Sequence, residues 1–256
     1  MATIHPTAQI GSDVKLAPSV TIGPFCVLDG EIEIGAQTVL RAGVHLWGRV
    51  TIGENNTIHS HAVIGDYPQD LSFTTDIKSQ VIIGDHNTIR ENVTIHRGAA
   101  DGGVTRLGSH SMLMAGSHLA HDTAVGDYTI LANNVMLGGH VTVGDRVFLG
   151  GGAGVHQFIN IGDYAMCQGN SSISQDLPPY CMSYAINQLV GLNNVGLKRA
   201  GFDPAQRKEI KSLYSLLFKS GLNRSEAIAE AESQDLSEAA LLLLNAVKSP
   251  SRKGVM

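Results

Sequence analysis

Four histidines near the middle of the chain, His118, His121, His140 and His156, carry the side chain whose ordinary pKa suits proton transfer at neutral pH. Asp122 follows His121, Gly138-Gly139 precedes His140, and Gln157 follows His156. Two chemistries fit such a set. Three imidazoles could ligate zinc and leave a fourth position open for water. Alternatively, one imidazole near a carboxylate could act as general base toward a hydroxyl, with a glycine N–H receiving the developing oxyanion. Adjacent residues on a strand point to opposite faces, so His121 and Asp122 can pair only where the chain turns a corner. Any one histidine could equally serve a surface or coil-stacking role. What favours function is their alignment, which depends on the element that carries them.

That element is set by a period of six. Aliphatic residues stand at Ile4, Ile10, Leu16, Ile22, Leu28, Ile34, Leu40, Leu46, Ile52, Ile58 and Ile64. The series resumes at Ile83 and runs through Leu107, Leu119, Leu131, Leu137 and Val155 to Ile173, broken only by Asp101 and Cys167. Neither a helix nor an alternating strand gives a strict six. A coil with three flat sides does, and this is the hexapeptide β-helix signature. On the resulting period of 18, His121, His140 and His156 fall at remainders 13, 14 and 12, near one corner of three successive coils, and Gly139 stacks over His121. With coils about 4.8 Å apart, the three histidines span roughly 10 Å.

Two stretches depart from the regular coil. Ile64 to Ile83 is one residue longer than three sixes, so Asp66–Gln80, with Gln69 and Asp70, includes an irregular loop. Gly98–Gly103 keeps the period but puts Asp101 where an aliphatic belongs, which predicts a loop bulging from a corner. Loops that interrupt a rigid repeat often carry function, although neutral insertions also occur.

Composition agrees with a narrow solenoid: of 256 residues, 5% are aromatic and 29 are glycine. Cys26, Cys167 and Cys181 are odd in number and lack CxxC spacing, which reads as free thiols in a reducing compartment. The N-terminus has no secretory pattern, and the longest aliphatic run, Leu241–Leu244, is far too short to span a bilayer. A cytoplasmic protein without a membrane span is expected. The formal charge of -5 divides into -8 over residues 1–196 and +3 over 197–256. Within 197–224, Lys198, Arg199, Arg207, Lys208, Lys211, Lys219 and Arg224 outnumber Asp203 and Glu209, a patch that could receive an acidic partner or a phosphate, or simply be a solvated helix face. No run of bases interleaved with aromatics points to nucleic acid.

Pro178-Pro179 reads as the end of the repeat. Asp203-Pro204 is a strong helix start, Ile210, Leu213 and Leu217 recur at helical spacing, and Gly221 is the expected stop. Ser225 and Asp235 are candidate caps for two further helices. The expected organisation is a parallel β-helix over residues 1–185 and a helical domain over 186–256 that covers its open end.

Several segments occur in a telling order: Ile95-His96-Arg97-Gly98, His118-Leu119-Ala120-His121-Asp122, Leu131-Ala132-Asn133-Asn134, Gly138-Gly139-His140, Val155-His156-Gln157-Phe158, Gln175-Asp176-Leu177-Pro178-Pro179-Tyr180 and Gly196-Leu197-Lys198-Arg199. Together they resemble the acyl-carrier-protein–UDP-N-acetylglucosamine O-acyltransferases that open lipid A biosynthesis, over essentially the whole chain. The resemblance implies a mainly β fold, a left-handed parallel β-helix with a C-terminal α-helical domain, and a homotrimer with active sites between subunits. It implies transfer of a 3-hydroxyacyl chain from acyl carrier protein to the glucosamine 3-hydroxyl of UDP-N-acetylglucosamine, with no cofactor and no catalytic metal. By the same resemblance His121 is the general base, Asp122 orients it, and the Gly139 N–H stabilises the oxyanion. His118, His140, His156 and Gln157 would line the groove, Gln69 and Asp70 would hold the sugar and acyl group, and Arg199 would meet a phosphate. Gly169 would set acyl-chain length, though a glycine there also suits an ordinary turn of the coil.

Three positions depart from the family pattern: Ser72 stands where Lys is frequent, Ala200 where a second Arg is frequent, and Ser183–Asn187 lacks the expected Gly-Asn-x-Ala turn. An acceptor with a 3-amino group is one alternative these departures leave open. A zinc hydratase of the gamma carbonic anhydrase type is another. A non-catalytic scaffold would carry Thr or aromatic ladders along its flat faces, and none is sustained in the sequence.

Overall fold

In the computed structural model, which describes residues 1–256, the period of six becomes a left-handed parallel β-helix followed by four helices. Sheets of 11, 9 and 8 strands form the three sides of the prism. Most strands are two residues long, because each side presents one outward and one inward side chain before the next corner. The inward residues stack in register from coil to coil: Leu119, Leu137, Val155 and Ile173 are successive partners, all buried. Outward from them run His118, Met136, Gly154 and Ser172.

Corners are turned by residues in the left-handed region, among them Asp122, Asn134, His140 and Asn170, with φ between 56° and 60°. Asn, Asp and His are the non-glycine residues that enter this region most readily. A planar stack runs along one such corner. The His86 and His110 rings lie 4.8 Å apart and 5° from parallel, Tyr128 follows at 4.7 Å, and the Arg146 guanidinium covers Tyr128 at 4.4 Å. This ladder escaped the sequence reading because its members sit one coil apart, at a corner instead of on a flat face.

Both irregular stretches are insertions absorbed without loss of register. Strand Gln80–Ile83 pairs with Arg49–Ile52 across 31 residues instead of 18, and with Val104–Leu107 across 24. The second insertion is one whole side long, which is why the period survived it in the sequence. The last coil is short: Cys167 pairs with Ser183 and Ile161 bridges to Leu177, each 16 residues on.

The repeat therefore passes through Pro178-Pro179 instead of ending there. Pro179 occupies a corner over Gly162, where any Cβ would come within 2.6 Å of the proline ring, and a corner does not ask proline for a ladder N–H. Strand Cys181–Tyr184 continues the sheet, and an antiparallel strand, Gln188–Leu192, closes it after left-handed Ala185 and Asn187.

Helices α1 (Asn194–Arg199), α2 (Pro204–Lys219), α3 (Arg224–Glu232) and α4 (Glu238–Lys248) complete the chain. Asp203 caps α2 with Pro204 in the first turn, as expected, and Gly221 follows its end with φ 82°. The other two caps lie two residues from the expected positions. Asn223, not Ser225, starts α3, because Glu226 returns its hydrogen bond in a capping box. Ser237, not Asp235, starts α4, and Glu209 of α2 accepts from both its N–H and its hydroxyl. The Tyr180 hydroxyl donates to the Ala239 carbonyl at 3.0 Å, tying α4 to the last coil, and one core cluster runs through solenoid and helices. No helix is long and apolar enough to cross a membrane.

Candidate active site

The aligned histidines meet a groove of about 510 Å³, lined by Gln69, His118, His121, Met136, Gly138, Gly139, Gly154, His156 and Gln157. Its floor is low because three of these residues have no side chain. At Gly154 a Cβ would meet nothing within 4 Å, so the glycine leaves open space between Met136 and Ser172 on the outer face.

His121 and Asp122 pair across the corner. Asp122 adopts φ 58°, which turns its carboxylate back so that Oδ2 lies 2.9 Å from His121 Nδ1. The carboxylate is fixed from behind by the second insertion: the Ala99 N–H donates to Oδ2 at 3.0 Å, and a Cβ on Gly98 or Gly103 would fall within 2.7 Å of Oδ1. The Asp122 N–H in turn donates to Thr105 Oγ1. With Nδ1–H committed to the carboxylate, Nε2 of His121 is the free basic nitrogen. It rests on Gly139, where a Cβ would stand 2.5 Å away. The Gly139 N–H itself donates to no backbone carbonyl.

The other histidines are held differently. His140 stacks on Phe158, with centroids 4.6 Å apart, and meets the His121 ring edge-on at 5.1 Å. His118 exchanges a 2.7 Å hydrogen bond with Thr94 through Nδ1 and packs edge-on against His96. Burial, reinforced by His96, pushes the His118 pKa down to about 4, so it works as a neutral hydrogen-bonding group. His156 is exposed, with Nδ1 3.2 Å from the Gln157 carbonyl oxygen.

The three aligned histidines do not converge as metal ligands. The donor group that lies within 4.8 Å of itself is His121, Asp122 and His140, two imidazoles and a carboxylate, without His156. Binding a cation there would have to compete with the bonds that Asp122 Oδ2 already accepts from Ala99 and His121.

Gln69 reaches this groove from the first insertion. Asp70 stands beside it, with Oδ1 accepting from both the N–H and the hydroxyl of Ser72, each at 2.8 Å. These bonds, with a smaller contribution from His121, hold the Asp70 pKa below the usual carboxylate range. Ser72, at a position where the resemblance suggested Lys, thus fixes a carboxylate. Gly169 and Arg199 lie outside the groove of the single chain. Gly169 is exposed on a later coil, and Arg199 is exposed in the last turn of α1. Ala99, Thr105 and Thr94 were missed in the sequence. The glycines around Asp101 were the available signal, since such density implies close packing against something.

Comparison with known proteins places these features in a class. Residues 31–66 match the bacterial transferase hexapeptide (six repeats) model, and residues 176–256 match the second domain of UDP-N-acetylglucosamine O-acyltransferase. The acyl-(acyl-carrier-protein)–UDP-N-acetylglucosamine O-acyltransferase of Syntrophobacter fumaroxidans is 40% identical and that of Campylobacter concisus 35%, each alignment covering 99% of both chains. The UDP-N-acetylglucosamine acyltransferase structure from Francisella novicida superposes with a TM-score of 0.94 at 38% identity, covering 99% of this chain and 94% of that one. Fold and site together define a hexapeptide-repeat acyltransferase. The chain belongs to the acyl-carrier-protein–UDP-N-acetylglucosamine O-acyltransferase family, whose reaction, acyl transfer from acyl carrier protein to UDP-N-acetylglucosamine, is the first step of lipid A biosynthesis.

Proposed function

We propose that His121 is the general base for transfer of a 3-hydroxyacyl chain to the glucosamine 3-hydroxyl. The carrying observation is the 2.9 Å contact of His121 Nδ1 with Asp122, which leaves Nε2 to accept the hydroxyl proton. The deprotonating oxygen attacks the thioester carbon, and the Gly139 N–H donates to the oxyanion of the tetrahedral intermediate. When the carbon–sulfur bond breaks, the imidazolium returns its proton to the departing thiolate. The carrier's thioester supplies the activation, so the step needs no cofactor.

Around this centre, Gln69 and Asp70 hold the sugar and the acyl group, and His118, His140, His156 and Gln157 line the path of the substrates. Gly169 admits a long chain because it presents no side chain; a Cβ there would meet only the Gly151 backbone within 4 Å, the oxygen at 3.0 Å. Arg199 binds a phosphate of the nucleotide, and the basic neighbours on α1 and α2 receive the acidic carrier protein. The homotrimer is proposed from family membership, and Met136, 54% exposed on the groove wall, is open to substrate or to a second subunit. The three free, buried thiols suit the cytoplasm.

The test is mass spectrometry of products after mixing the protein with UDP-N-acetylglucosamine and a ladder of 3-hydroxyacyl carrier proteins. An O-linked ester is expected. Absence of product from both this acceptor and its 3-amino analogue would overturn the reading. Light scattering should give three times the 27.1 kDa chain mass.

A further inference from the structure

Arg97 is buried, yet it forms no ion pair, and its Nε has no hydrogen-bond partner. A guanidinium keeps its charge in almost any surroundings and is costly to bury without compensation. The compensation here is aromatic. The Arg97 Cζ lies 4.9 Å from the centre of the Tyr67 ring and 5.2 Å from that of Phe73. Both rings belong to the first insertion, and they pack on each other at 5.4 Å. The Arg97 N–H also donates to the Asp66 carbonyl at the root of that insertion. Room for the side chain comes from Gly48, whose φ is 71° and where a Cβ would stand 2.9 Å from Nη1.

Arg97 also immediately precedes the second insertion, two residues before the Ala99 N–H that donates to Asp122. One residue thus touches both loops: the one that braces the carboxylate of the dyad and the one that carries Gln69 and Asp70. Gln69 and Asp70 lie between Tyr67 and Phe73, so a clamp on the two rings fixes the segment between them.

We propose that Arg97 is a positioning residue, a cation clamped by Tyr67 and Phe73 that sets the first insertion over the His121 groove. It touches no substrate; it acts through Gln69 and Asp70, and so rests on the reading that these two hold the sugar. Removing the clamp frees the loop and weakens acceptor binding while His121 and its proton chemistry stay in place.

Two readouts test this. The first needs no activity: limited trypsin digestion of the full-length protein, following cleavage after Lys78, the one tryptic site in the first insertion. Arg97→Met and Tyr67→Leu are expected to release the fragment beginning at Ser79 at least ~10-fold faster than wild type, with unchanged melting temperature, and Tyr67→Phe at the wild-type rate. The second is kinetic: KM for the sugar nucleotide rises about 10-fold in Arg97→Met and Tyr67→Leu, the double variant is no worse than either, and the pH profile of kcat is unmoved. Wild-type cleavage and wild-type KM in both single variants would overturn the clamp. Tyr67 is half exposed on a loop, so its variant remains informative if Arg97→Met fails to fold. Faster cleavage in a protein that never acylates the sugar nucleotide would keep the clamp and sink the functional reading instead.

Discussion

The imidazole of His121 lies directly against Gly139, so closely that a methyl group on that glycine would stand 2.5 Å from Nε2 and 2.6 Å from Cε1. The contact joins the proposed base to the residue whose N–H is proposed to bind the oxyanion, one coil apart. Gly139 has no left-handed φ to explain it, so the ring is the reason for the glycine. Gly139→Ala should therefore push the base off its position without unfolding the coil. Steady-state kinetics should show kcat falling about 10²-fold or more, with the melting temperature within a few degrees of wild type.

Asp122 should matter only through His121. His121→Gln is expected to lower kcat about 10³-fold. Asp122→Asn should lower it less, because an amide can still accept from one of the two N–H donors that now share Oδ2. The double variant should match His121→Gln alone. Additive losses would show that the carboxylate has a second role of its own.

Acid should destabilise the protein through His118. In the fold its pKa lies at about 4, below the ordinary value of 6.5, chiefly because burial penalises the charged imidazolium and secondarily because of His96. Between those values the unfolded chain binds a proton that the native state does not, so stability falls as pH falls. The contribution is whole above pH 6.5 and exhausted below about 4. Urea midpoints should drop between about pH 7.5 and pH 5, and His118→Gln should flatten the dependence.

Gly169 should tolerate a side chain better than Gly139 does. Its φ lies outside the left-handed region, and a Cβ would meet only the Gly151 backbone within 4 Å, the oxygen at 3.0 Å and the nitrogen at 3.7 Å. Gly169→Met should keep its stability and shift the preferred donor toward shorter acyl chains, read directly from the product masses. An unchanged length distribution would return this glycine to an ordinary turn.

The legible part of this molecule was whatever repeats. Inward residues from Ile4 to Ile173 announced the solenoid because each coil sets the same demand on the same position. The groove histidines were legible for the same reason, since no insertion intervenes between Leu107 and Ile173 and counting by 18 gives true neighbours. What escaped depends on contacts that no period describes. The grip of Ala99 on Asp122 comes from a loop folding back over 23 residues, and the Arg97 clamp from rings 30 and 24 residues away. Asn223 and Ser237 displaced Ser225 and Asp235 as caps through side-chain reciprocity that residue type alone does not rank.

The two insertions leave the solenoid at the third side and return to the same partners, with 13 and six extra residues absorbed outside the ladder. Hydrogen bonds between coils, and not the count of residues, hold the phase. Such a scaffold separates two kinds of placement: the stack of His121, Gly139 and Gln157 is set by the ladder alone, whereas Asp122 and Gln69 also depend on loops that the ladder does not measure. A change confined to the loop that carries Gln69 would therefore reshape one wall of the groove while the coil beneath His121 keeps its place.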